Sequence, residues 1–320
     1  RDRSVSRGLG DVYKRQAQAT LLSQMCSIED GSPLKKLITY AKGRIRLVGF
    51  NRLPPAEYSA DTTETGIDKD VVTAATAAQS VGDSFAKKVM PFRCLVPAAG
   101  WGGKTDKLYK PREGSTNRVG FVMACDDQVN KTAAVGQMLG RAAKYPVNYS
   151  LARVKSGAIA TEGWLTNGET PEECDAMLDL LDEAGYIIYR SFPKKNGYYP
   201  NDDPMGAPLS DDYSNLNYGR VVDKAMIIAY TTFVEEIQDD IETDDDGNIP
   251  QEMCSYYEGR INNAVASAMQ GEISNFTSYV DPAQNVLSTR LMTVSCKIRP
   301  RGCLRDIIVN LGFENPAIKQ

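Results

Sequence analysis

Residues 98–105, AAGWGGKT, follow a short apolar run and fit the loose form of a phosphate-binding loop, in which glycine amides wrap an anion and a lysine faces its outer phosphate. Downstream, RVGFVMACDD has the form of a partner strand closing on a magnesium-binding carboxylate, Asp126. Such a loop needs its amides at the N-terminus of a helix, whose dipole faces the anion. Here Lys104 and Thr105 lead into DKLYKPREGSTN, broken by Pro111 and Gly114. A glycine-rich surface loop is therefore the favoured reading, with a P-loop NTPase as the alternative.

Carboxylates offer the next chemistry. The stretch 235–246 holds eight acids and no base, and ETDDDGNI resembles a calcium loop with Gly247 at its sharp turn. With Gly247 sixth, Pro250 falls ninth and Met253 twelfth, where a bidentate glutamate is needed. An Asp-Gly turn between two helices fits better. Asp202-Asp203 and Asp211-Asp212 are acid pairs in a loop, read as solvated turn residues because a flexible loop supports catalysis poorly. The chain has no histidine, which removes His-based nucleophile systems, most zinc sites and a neutral-pH proton shuttle. Seven scattered cysteines without a C-x-x-C pair read as buried or reduced thiols. No metal, cofactor or catalytic residue is assigned.

Charge is more informative at the other end. Arg290, Lys297, Arg299, Arg301 and Arg305 fall within a stretch free of acids, beside an alternating strand. Such a strip suits an acidic partner, including the acidic run of another copy. Charged edge residues also discourage edge-to-edge aggregation, and both readings stand.

The elements that must hold these residues follow from pattern. At 320 residues, 42% hydrophobic and 24% charged, the chain can bury one large core or two ordinary ones. No apolar run is long enough to span a bilayer, and a net charge of -4 gives no overall field for nucleic acid. IRLVGF (45–50) reads as a buried strand. A helix over 68–89 follows, capped by Asp68, with the stripe Ile67, Val71, Ala74, Ala78, Val81, Phe85 and Val89. PFRCLVPA (91–98) is a second strand, so the unit is strand–helix–strand. RVGFVMAC (118–125) is a third strand, and a helix over 131–144 contains Gly136 and Gly140, a spacing for close packing. Thr170, Pro171 and Glu173 form a capping box for a helix closed by Gly185, before a strand at 186–192.

After Phe192 the composition turns to proline, Asn, Asp and Gly, a loop or linker over 193–219. Helices follow over 220–241, with the stripe Val222, Met226, Ala229, Phe233 and Ile237, and over 250–270, with Met253, Tyr257, Ile261, Ala264 and Ala268. The end reads as a β-hairpin: Met292, Val294, Cys296 and Ile298 share one face, Pro300-Arg301-Gly302 turns, and Ile307, Val309 and Leu311 return. The fold class is α/β, an outer layered α/β domain over 17–192 plus a C-terminal α+β domain over 220–320. Residues 1–16, RDRSVSRGLGDVYKRQ, have no apolar periodicity and resemble a translated sequencing adapter, so they are set apart as non-native.

The strings NGYYPNDDPM (196–205), DDYSNLNYGRVVDKAMIIAYTTFVEEI (211–237), YVDPAQNVLST (279–289) and KIRPRGCLRDIIVNLGF (297–313) together resemble the C-terminal part of contractile phage tail sheath proteins, in a shorter prophage-borne branch. RLVGFNR, TGIDKDV, PFRCLV, NRVGFV and AVGQMLGRAAKYPVNYSLARVKSGA follow that branch in order, so the resemblance spans 17–320. It implies a non-enzymatic subunit of a virion tail, assembled in the bacterial cytoplasm. Six-fold rings would stack around a tail tube, contact baseplate and tail terminator proteins, and contract to drive the tube through an envelope. It also implies a tube-facing C-terminal domain that exchanges strands with neighbours, with 305–313 as donor. The candidate interface is Arg290, Lys297, Arg299, Arg301, Arg305, Ile307, Val309 and Leu311. A generic α/β binding domain is the remaining alternative.

Overall fold

The computed structural model describes residues 20–312, so the expectation for 1–16, and that for Phe313, lie outside the described residues. Two short helices, α1 (Leu22–Met25) and α2 (Pro33–Ala41), lead into β1 (Leu47–Gly49) and α3 (Lys69–Ala86). As predicted, Asp68 caps α3, accepting from the Asp70 N–H, and Val71, Ala74, Ala78, Val81 and Phe85 are buried. The helix ends before Val89, which adopts a positive φ of 58°. Next come β2 (Arg93–Pro97), β3 (Val119–Val122), β4 (Ala124–Asp127), β5 (Thr132–Ala133), α4 (Val135–Lys144) and β6 (Trp164–Leu165). Helix α5 (Asp175–Ala184), β7 (Tyr186–Ile187), β8 (Tyr189–Arg190) and β9 (Tyr199–Pro200) complete the first half.

The central sheet is parallel throughout, in the order β1-β2-β3-β7. Side-chain alternation splits it into two cores. Val48, Cys94, Val96, Phe121 and Tyr186 face α3 and α5, while Leu95, Val122 and Ile187 face Val135 and Met138 of α4. The result is the expected layered α/β arrangement, helices on both faces. The runs 118–125 and 186–192 each read as one strand but divide at Met123 and Ile188. Past those points β4 pairs antiparallel with β5 and β6, and β8 with β9. Met123 N–H donates to Ile187 C=O at 2.9 Å, joining the two crossing points. The close packing expected at Gly136 and Gly140 is absent: a Cβ at either would meet nothing within 4 Å.

The second half contains α6 (Leu216–Phe233), α7 (Gln251–Ala268), β10 (Ile273–Val280), α8 (Val286–Thr289) and β11 (Val294–Pro300). This is the α+β module, with one correction at its end. The hairpin partners are β10 and β11, in antiparallel register from Val280↔Val294 to Asn275↔Arg299, joined through α8. Pro300-Arg301-Gly302 makes no hairpin turn, and 301–312 form no strand. The alternation of β11 is real, but its mate precedes it in the chain. Ile273, Phe276 and Ile298 pack on Val221, Ala225, Ile261 and Val265, and Val280 and Val294 on Tyr257 and Ile249.

Helix α6 begins four residues before the predicted start and ends well before Ile237. The helix is buried on two sides: Gly219 and Asp223 face Arg93, while Val221 and Ala225 pack in the C-terminal core together with Ala229 and Phe233 of the predicted stripe, and Val222 and Met226 are half-buried. Apolar periodicity finds only one of these sides, because the other carries a glycine and a charged residue. In α7, Tyr257 and Ile261 are buried as predicted, with Cys254 and Val265 in place of Met253, Ala264 and Ala268.

Candidate functional site

The two-stranded β10–β11 sheet lays one face on α7 and turns Thr277, Tyr279, Ser295, Lys297 and Arg299 outward. Among the described residues neither outer edge is paired, so each presents free backbone donors and acceptors. Beside the β11 edge lies a cavity of about 580 Å³, lined by the apolar Phe233, Ile237, Met292 and Val294 and by Asp239, Asp240 and Arg290, with Ile237 itself exposed. A second hollow of about 290 Å³ shares that apolar lining and runs on to Cys296. The groove therefore combines apolar side chains with mainly acidic charges.

The candidate interface residues distribute around it. Arg290 closes α8 in the left-handed conformation, φ 55°, and lines the groove. Lys297 and Arg299 stand exposed on β11, and Arg301 Nη1 donates to Gly271 C=O at 3.0 Å. Ile307, Val309 and Leu311 are 77%, 70% and 93% exposed, so the segment leaves apolar side chains in water at alternate positions. Arg305 separates from the others and reaches back to Asp182 on α5 and to Asp202.

Elsewhere the chemistry weighed from sequence resolves into structure. In 98–105, Trp101 is buried and its Nε1–H donates to Lys104 C=O at 2.9 Å. The carbonyls of Ala98 and Ala99 accept from Thr166 Oγ1–H and Asp68 N–H. The next regular element is the three-residue 3-10 turn Pro111–Glu113, so no α-helix starts from the loop, and Ala99 turns its carbonyl, not its amide, to the N-terminus of α3. Asp126 is exposed on β4, outside the parallel sheet. In the acidic loop, Asp244 Oδ1 accepts from the N–H groups of Asp246 and Asn248, the Asp-Gly turn read from sequence. Among the described residues no cluster of three or more Cys, Asp or Glu is arranged to hold a metal ion, and no helix is long and apolar enough to cross a membrane.

One expectation fails outright: Asp203 is 1% exposed, not a solvated turn residue. It accepts from Ser150 Oγ–H, Asn215 Nδ2–H and Asn217 N–H, tying the segment before α6 to the helix start. Burial, reinforced by the adjacent Asp202, pushes its carboxyl up to about 7. Sequence reading also missed Arg93 and Asp223, which lie in apolar-patterned elements and carry no local motif. Their contact joins β2 to α6.

Residues 56–204 match the model of the DUF2586, N-terminal domain, and residues 212–318 that of the DUF2586, C-terminal domain. No curated protein matches the chain. Among solved structures, a chain of the anti-feeding prophage helical sheath in its contracted state superposes with a TM-score of 0.57 at 14% identity, covering 89% of this chain and 75% of that one. A chain of the six-fold symmetrised anti-feeding prophage baseplate gives 0.53 at 14% identity, covering 89% and 74%. At that identity the likeness is one of fold.

Proposed function

We propose that this chain, which carries both domains of the DUF2586 family in order, is a structural subunit of a contractile phage or phage-like tail sheath, acting by assembly in place of bond chemistry. The observation that carries the reading is the open-edged β10–β11 sheet with an exposed, basic and apolar tail beyond it. A segment with side chains alternating at Ile307, Val309 and Leu311 is built to add to a sheet edge. The groove beside β11 supplies apolar side chains and mainly acidic charges for it, so the occupant is the tail of a second copy.

In this reading copies join as six-fold rings through strand exchange, with Arg290, Lys297, Arg299, Arg301 and Arg305 on the contact surfaces and the 220–320 module toward a tail tube. Baseplate and terminator proteins would bound the polymer, and contraction would switch between two packings of the same subunits without a nucleotide. Assembly would take place in the host cytoplasm.

Electron microscopy of the concentrated protein tests this. Tubes or ring stacks that disappear when residues 301–320 are deleted are expected. Dispersed particles from both proteins at every concentration would reject the reading.

A further inference from the structure

The tail returns to the α/β layer at one place. Arg305 Nη2 contacts the Asp182 carboxylate, and its Nη1 lies 3.4 Å from Asp202 Oδ2. Both carboxylates are largely buried, with side chains 19% and 13% exposed. Arg112 approaches the same Asp202 oxygen at 3.6 Å, but its Nη1 and Nη2 are buried without a hydrogen-bond partner. The buried Asp203 carboxyl lies close enough to repel Asp202 and adds to the local negative charge. Burial raises the Asp182 carboxyl from its usual range, and the Arg305 charge acts against that rise. Arg112 alone leaves the cluster short of positive charge, and Arg305 supplies it.

Around that contact the tail has only sparse support, from the Arg301 hydrogen bond to Gly271 C=O and a hydrogen bond between the Cys303 backbone and Tyr218. Leu304 and Ile308 are 83% and 86% exposed, and no strand pairing holds 301–312. A segment held by one exposed ion-pair contact and two hydrogen bonds, with its apolar side chains in water, leaves readily when an apolar surface is offered.

We propose that Arg305 seated on Asp182 and Asp202 is an intramolecular latch, which parks the tail on the chain's own α/β layer and must open before the tail engages another copy. The latch slows self-association; this rests on the reading that the tail is the donated strand. Opening exposes the acidic socket as well as freeing the tail. Substitutions in the socket therefore release the tail without altering its sequence.

The test uses the full chain with Cys296→Ser and Cys303→Ser, carrying fluorophores at Asp179→Cys on α5 and Ile308→Cys on the tail. Single-molecule energy transfer at high dilution reads the parked population. That population is expected to fall roughly two- to five-fold in Asp182→Asn/Asp202→Asn and in Arg305→Gln, and in the parent at high salt. Arg305→Gln alters one surface side chain, which guards against misfolding as the cause. Turbidity of the concentrated Asp182→Asn/Asp202→Asn protein should rise faster than the parent by a similar factor. A parked population unmoved by substitution and salt would overturn the latch. A population that responds while assembly keeps the parent's rate would overturn its control of association. Responsive tails with no polymer from any protein would reject the donated-strand reading instead.

Discussion

Arg93 on β2 and Asp223 on α6, 130 residues apart, form a buried two-point ion pair, with Nε–H to Oδ2 at 2.9 Å and Nη2–H to Oδ1 at 3.2 Å. Arg93 Nη1–H donates to Asn117 C=O, and Arg118 approaches Asp223 from the other side at 3.5 Å. A desolvated guanidinium is tolerable only because those acceptors are fixed in place.

Removing one partner should therefore cost far more than removing both. Asp223→Ala is expected to destabilise the fold by about 3–5 kcal/mol, because it leaves Arg93 buried and uncompensated. Arg93→Met with Asp223→Leu should cost clearly less. Urea unfolding of the two proteins checks the order.

Two glycines in helices should respond with opposite sign. A Cβ at Gly219 would overlap the Arg93 guanidinium, so Gly219→Ala is expected to lose about 1–3 kcal/mol. Gly140 in α4 faces open space, and Gly140→Ala should gain about 0.5–1 kcal/mol. Thermal melts of both variants against the parent decide this.

Asp203 makes stability depend on pH in an unusual direction. Its carboxyl is pushed up to about 7 from the ordinary 3.8, so between those values the folded chain binds more protons than the unfolded one. This group's contribution is therefore present at low pH and declines as pH rises toward about 7. Asp203→Asn should flatten that slope, read as urea midpoints across the window. An unchanged slope would remove Asp203 as its source.

Thiol reactivity should separate the cysteines into two sets. Cys26, Cys94, Cys125, Cys174 and Cys254 are buried, while Cys296 and Cys303 are exposed. Two equivalents of an aromatic disulfide reagent should react in the native dispersed protein, and seven in denaturant. Under the assembly proposal, polymer formation should slow the reaction of Cys296, which lines the groove.

Charge reversal at Arg299 and Arg301 tests the basic surface. Both side chains are exposed, so Arg299→Glu/Arg301→Glu should leave the melting temperature nearly unchanged. Under the proposed function it should reduce polymer formation, seen by sedimentation. Full polymer yield would remove these two residues from the contact.

Local chemistry was legible in the sequence wherever it sits within one turn of its partner. Asp68 caps α3 and Gly185 ends α5 at φ 99°, while Thr170 and Glu173 close their reciprocal box in a turn ahead of α5, which starts only at Asp175. The layered sheet followed from apolar runs of the right length. The sheet changes at Met123 and Ile188 stayed hidden because each lies inside an unbroken apolar stretch, where nothing local marks a change of partner. Strand β10 escaped notice because much of it is polar and half-covered, ISNFTSYV, with a shift in register after Ile273. The second buried side of α6 went unseen because Gly219 and Asp223 answer to Arg93, a residue more than a hundred positions away. At the candidate interface, the charge of the strip could be read from residue types. The separate destination of Arg305 could not, since it depends on where α5 lies in space.

Helix α6 starts with Leu216 in the α4-side core and continues through Val221 and Ala225 into the C-terminal one. One rod thus runs through both halves, bolted near its start by Asp223. Under the assembly proposal, a load applied to the β10–β11 edge would reach the central sheet through this helix, which puts the rearrangement where one molecule touches the next.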